Sequence, residues 1–137
     1  MPHIAEIGRL PGTVHYRNTK RAQVITYPHL LALRIDADLF FANARPVERA
    51  IEAALLARAG ITQLLLDLSG VNQIDLTALE GLRELNHNLR TRGVSLSLAE
   101  VKGPVLDRLA RSTLLSELVQ PPFRFTHDAF VALNAGD

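Results

Sequence analysis

The stretch Ile61-Thr62-Gln63-Leu64-Leu65-Leu66-Asp67-Leu68-Ser69-Gly70-Val71-Asn72-Gln73-Ile74-Asp75-Leu76-Thr77-Ala78-Leu79-Glu80-Gly81-Leu82 carries three signals in succession. Ile61 to Leu68 is nearly continuously apolar, as expected of a central strand covered on both faces. A polar loop follows. Leu79 and Leu82, continued by Leu85 and Leu89, then recur at helical spacing until Gly93, a residue suited to the left-handed turn that closes a helix.

The same alternation extends in both directions. Upstream, Leu30-Leu31-Ala32-Leu33-Arg34-Ile35 is a short apolar run after Pro28 and predicts a buried strand. Asn43 or Ala44 then leads into Arg45-Pro46, and proline suits the first turn of a helix. Val47, Ile51, Ala54 and Leu55 continue at helical spacing, and Gly60 ends the element. Downstream, Val94-Ser95-Leu96-Ser97-Leu98 alternates with period two, as a strand does. Pro104 opens a short helix with Val105, Leu106 and Leu109, and a further turn holds Leu114, Leu115 and Leu118. Pro121-Pro122 stops it, after which residues 123–125 read as a last strand and residues 128–133 as a terminal helix. Strands alternating with helices imply right-handed crossovers and a largely parallel sheet, so the fold class is α/β.

Composition bounds the rest. The 137 residues fit one domain. The chain has no cysteine, which removes thiol catalysis, disulfides and Cys-ligated zinc and fits a reducing compartment. A net charge of +1 leaves no nucleic-acid footprint, and no stretch of ~20 apolar residues is present for a membrane span. The charge is uneven. Residues 1–29 carry Arg9, Arg17, Lys20 and Arg21 against Glu6, a net of +3; residues 30–137 carry 11 basic and 13 acidic residues, a net of −2. The opening segment, broken by Pro2, Gly8, Pro11 and Gly12, reads as a basic lead-in with one short extended piece at residues 13–16. The plain reading of such a segment is an ordinary solvated tail; the alternative is that near an anionic membrane each basic residue adds about 1 kcal/mol of attraction.

Catalytic signatures are absent in their usual forms: no G-x-G-x-x-G, no G-x-x-x-x-G-K-[ST] and no G-x-S-x-G. His3, His15, His29, His87 and His127 are scattered and form no metal-type cluster. The sequence therefore predicts no enzyme, catalytic residue, cofactor or metal. The informative segment is residues 66–82, which leaves the carboxyl end of the central strand, where open α/β sheets bind ligands and partners. Asp75 or Thr77 can cap the helix that starts there, and Thr77 with Glu80 has capping-box spacing. That helix start also favours an anion or a phosphorylated hydroxyl. The plain alternative is that these residues only end a strand and begin a helix.

Asp67-Leu68-Ser69-Gly70-Val71, with Ile74-Asp75 and Thr77-Ala78-Leu79, resembles the central motif of STAS domains, found in bacterial anti-sigma-factor antagonists and in the cytoplasmic carboxy-terminal domains of SulP-type sulfate permeases. Leu10-Pro11-Gly12-Thr13-Val14-His15-Tyr16-Arg17-Asn18 resembles the lead-in after the last membrane span of those transporters. The segment from Leu33 to Ala44 is similar to their second strand and the turn into the first helix. Leu109-Ala110-Arg111-Ser112-Thr113-Leu114-Leu115 and Phe125-Thr126-His127-Asp128-Ala129-Phe130 resemble the closing elements.

The resemblance implies a mainly parallel mixed sheet with helices packed chiefly on one side, over residues 24–137. Residues 1–23 would be a lead-in following a membrane region outside this chain. It implies a regulatory domain of an anion permease, on the cytoplasmic face of the bacterial inner membrane. Such a domain would act by conformational coupling on the transmembrane domain of the same transporter, or by binding a soluble regulatory protein or a second STAS domain. The expected contact loop comprises Asp67, Ser69, Gly70, Asn72, Asp75 and Thr77; the Phe40-Phe41 pair reads first as core residues at a strand end, with membership of this surface as the alternative. In the antagonists the serine after the motif aspartate is phosphorylated. Here that position is Leu76, which leaves Thr77 and Ser69 as the hydroxyls open to modification. The alternatives are a free-standing antagonist of an anti-sigma factor, or a module binding a nucleotide or an acyl-carrier protein.

Overall fold

The computed structural model describes residues 3–134. Five strands form one mixed sheet in the order β2-β1-β3-β4-β5. Its parallel part is β3 (Leu30–Ile35), β4 (Gln63–Asp67) and β5 (Ser95–Ala99), with Leu31 opposite Leu64 and Leu64 opposite Leu96. β4 has a strand on either side and helices over both faces, which is why Leu64, Leu65 and Leu66 are all fully buried.

Helices α1 (Phe41–Leu56), α2 (Leu76–Thr91), α3 (Gly103–Ala110) and α4 (Leu114–Glu117) share one core with Leu31, Leu33, Leu64, Leu66, Leu96 and Leu98. The other face carries α5 (Thr126–Asn134), whose Ala129, Phe130 and Leu133 pack on Ile7, Leu30, Ala32 and Leu65. Period two along the strands thus divides alternate residues between a large core under four helices and a small one under α5. Leu79, Leu82, Leu85 and Leu89 are the buried stripe of α2, and Gly93 beyond its end has φ +77°, a left-handed turn that glycine adopts without strain.

Four features differ from the sequence reading. Residues 1–23, expected as a lead-in, supply β1 (Ile4–Arg9) and β2 (Tyr16–Asn18) to the sheet. β1 runs antiparallel to β3, with Ile4 opposite Ile35 and Glu6 opposite Leu33, and β2 pairs with β1 further along, Ile7 opposite Asn18. The short extended piece falls at Tyr16–Asn18 rather than 13–16 because Thr13 is spent on a turn, its N–H and hydroxyl both donating to the Leu10 carbonyl. α1 begins at Phe41, so Pro46 lies inside it. Its start is fixed instead by the Asn43 side chain, which accepts from the Phe40 N–H at 2.8 Å and donates to the Asp38 carbonyl. Residues 123–125 form a single bridge, Ala99 to Phe123, before the chain turns into α5 two residues earlier than expected.

Candidate functional site

Beyond β4 the loop to α2 is held by backbone and side-chain bonds to both neighbouring loops. Gly70 passes so close to the end of β3 that a Cβ there would lie 2.7 Å from the Ile35 carbonyl oxygen. Asp38 Oδ1 accepts the Asn72 N–H at 2.7 Å and the Gln73 N–H at 3.3 Å, and Asn72 Oδ1 accepts from Lys102 Nζ at 2.6 Å. Leu39 then pairs with Ile74 in a parallel bridge, which brings the starts of α1 and α2 together.

Asp75 is the N-cap of α2, its Oδ1 accepting the Ala78 N–H at 2.9 Å. The Thr77–Glu80 capping box does not form, because Glu80 turns to Arg83 at 2.9 Å and Asp75 already caps the turn. Asp75→Ala should cost about 0.5–2 kcal/mol, read as a lower urea midpoint with an unchanged slope. A variant within ~0.3 kcal/mol of the parent would count against this cap.

Asp67 has a different role from its loop neighbours. Only 7% exposed, it accepts the Ser69 N–H at 2.9 Å and the Thr126 hydroxyl at 2.7 Å, tying α5 to the end of β4. Glu100, whose backbone sits in the left-handed region at φ +58°, accepts the Thr126 N–H at 2.6 Å. Tyr16 completes the attachment: its hydroxyl lies 3.0 Å from His127 Nδ1 and its ring meets Phe130 edge-on at 5.0 Å. Burial pushes the Tyr16 phenol up to about 12, opposed by the positive charge of Arg9. A cavity of about 470 Å³ lies here, with Ser69, Arg34, His15 and Phe125 on its wall.

The structure therefore divides the six residues singled out in the sequence. Asp67 and Ser69 belong to the α5 face of the sheet. Gly70 is the crossing point, and Asn72, Asp75 and Thr77 lie at the α1–α2 end. Ser69 and Thr77, the two candidate hydroxyls, line different cavities. Thr77 is exposed on a groove of about 830 Å³ between α1 and α2, whose carboxylates are Glu48, Glu52, Glu80 and Glu84. Burial, and then the charge of Glu84, raise Glu48 above the ordinary carboxylate range.

Leu76, the first residue of α2, is 66% exposed, and Phe40, the residue before α1, is 40% exposed. The side chain of Phe41 lies outside the described residues. Sequence reasoning gives no role at the site to Asp38, Lys102 and Thr126, whose partners lie 34, 30 and 59 residues away, separations over which no local pattern operates. Among the described residues no three His, Asp or Glu side chains are placed to hold a metal ion, and no helix is long and apolar enough to cross a membrane.

Residues 21–129 match the family model described as STAS domain. The chain is 36% identical to the Probable sulfate transporter 4.2 of Arabidopsis thaliana, over 93% of this chain and 21% of that protein. It spans about a fifth of the length of the curated relatives it matches. Among solved structures, the murine Slc26a9 anion transporter in its inward-facing state superposes with a TM-score of 0.87 at 22% identity, over 98% of this chain and 22% of that one. The SulP transporter STAS domain from Vibrio cholerae gives a TM-score of 0.67 at 19% identity, covering 86% of this chain and 91% of that one.

Proposed function

Because the chain belongs to the STAS domain family, we propose that it is the regulatory contact domain of a sulfate or related anion permease, acting on the cytoplasmic face of that protein's membrane, a bacterial inner membrane on the sequence reading. It does no chemistry of its own. Its contact loop bears on the transport domain of the same polypeptide, and the contact favours one transporter state through its difference in affinity for the two. The similarity to sulfate transporters over 93% of the chain supports the context.

The observation that carries the reading is Leu76. A leucine two-thirds exposed at the first position of a helix leaves most of its apolar side chain in water, and Phe40 stands at the neighbouring helix start. Burying one such side chain in a contact is worth about 1.5–3 kcal/mol, the same size as a typical coupling free energy of 1–3 kcal/mol. Modification fits less well. A phosphate on Thr77 would meet the carboxylates of the α1–α2 groove, and one on Ser69 would share its cavity with Asp67 and Glu100. Leu76 itself offers no hydroxyl. The surface is accordingly a constitutive contact formed by Asn72, Asp75, Leu76 and Thr77, with Phe40 beside them.

The test is sulfate uptake by the full-length protein carrying Leu76→Asp. Uptake should change about fivefold or more at equal membrane abundance. Leu76→Met should keep the parental rate, and the isolated domain should melt within ~0.5 kcal/mol of the parent. Parental uptake with Leu76→Asp would overturn the proposal.

A further inference from the structure

The basic lead-in has a place in the fold that the contact loop does not use. Residues 4–27 carry Arg9, Arg17, Lys20 and Arg21 against one carboxylate, Glu6, whereas residues 28–134 carry 11 cations and 12 carboxylates. Glu6 is taken by Arg58 at 2.7 Å. The guanidinium groups of Arg9 and Arg17 donate to backbone carbonyls, of Thr13 and Tyr16. Among the described residues none of the four cations forms an ion pair, although Arg34, Arg58, Arg83 and Arg92 elsewhere all do. The four gather on and beside β2, the outermost strand of the sheet.

Beside this edge two apolar side chains stand in water. Val14, in the turn between β1 and β2, is 59% exposed, and Phe125, just before α5, is 51% exposed. Both border the cavity lined by Tyr16, so they share one margin of the edge, and Arg124 lies over the Phe125 ring at 5.3 Å. Unpaired cations spread along an edge, with an aromatic and an aliphatic tip beside them, complement a surface that is anionic outside and apolar a few ångströms in.

We propose that the β2 edge, with Arg17, Lys20, Arg21, Val14 and Phe125, docks on an anionic lipid surface. The lipid is chosen over another polyanion on the reading that the domain belongs to a membrane transporter, and the docking holds the domain at a fixed face relative to that bilayer. The α1–α2 end and its contact loop are then left for the transport domain.

Co-sedimentation of the 137-residue chain with vesicles tests it, using phosphatidylcholine alone and phosphatidylcholine mixed with phosphatidylglycerol. The chain should bind the mixed vesicles, bind the neutral ones far less, and lose binding as salt is raised. The triple variant Arg17→Glu, Lys20→Glu, Arg21→Glu should partition about 100-fold more weakly, at roughly fivefold per cation. Its melting curve checks that the exposed changes leave the fold intact, and Phe125→Ser should lower binding several-fold by a separate route. Equal binding to the two vesicle types, undiminished binding by the triple variant, or binding of duplex DNA as strong as that of the mixed vesicles would overturn the proposal. Leu76→Asp should leave vesicle binding unchanged, so this test and the uptake test can fail independently.

Discussion

Gly70→Ala should destabilise the domain by about 1–3 kcal/mol, and Gly70→Val by more. The first atom of any side chain there would sit 2.5 Å from Asp36 Oδ1, 2.7 Å from the Ile35 carbonyl oxygen and 2.8 Å from the Asp36 Cα. The carboxylate can swing aside, but the other two atoms are backbone at the end of a core strand and cannot. The loop and β3 must therefore part, which disturbs Asp38 and the bonds it accepts from Asn72 and Gln73. Thermal melting reads this as a drop of several degrees per kcal/mol for a chain of this size. An alanine variant within ~0.5 kcal/mol of the parent would mean that the loop has slack the close approach denies.

Asp67→Ala should cost about 2–3 kcal/mol, since hydrogen bonds to a charged group contribute about 1.5–3 kcal/mol and the partners left behind are poorly hydrated. Asp67 is a polar link between β4 and α5, and Thr126 is even more deeply buried than Asp67 itself. Combining Asp67→Ala with Thr126→Ala in a double-mutant cycle should give a coupling of about 1 kcal/mol or more. Strict additivity of the two losses, measured by urea unfolding, would show that the carboxylate and the hydroxyl act independently.

Much of the architecture follows from local pattern. The run through Leu64, Leu65 and Leu66 places the central strand, and the leucine stripe of residues 79–89 places α2, because burial on both faces and helical spacing leave direct marks in the sequence. β1 is harder to read. Gly8 breaks its alternation, and what makes it a strand is pairing with β3, nearly thirty residues on. The glycine is there because the chain at 24–26 crosses so near that a Cβ would lie 2.6 Å from the Ile25 carbonyl oxygen. The start of α1 is hidden in the sequence for a related reason: Pro46 suits a first turn, but the Asn43 side chain secures a helix start at Phe41, five residues before the proline. The site was legible as a loop but not as two faces. Asp67 and Asp75 are both aspartates at element ends. Only the fold separates the buried clamp on Thr126 from the helix cap, since Thr126 is remote in sequence and Ala78 is adjacent.

The position of β1 has a practical consequence for anyone dissecting this domain. The charge pattern invites a cut at residue 24, and the family model begins at residue 21. Either cut would remove both strands beyond β3 and strip the pairing partners from Leu33 to Ile35, in a strand where five of six residues are buried. The shortened piece would present a straight, apolar, hydrogen-bond-hungry edge, the template on which chains stack into aggregates. An insoluble fragment of that kind would report a missing strand and say nothing about whether the domain folds alone.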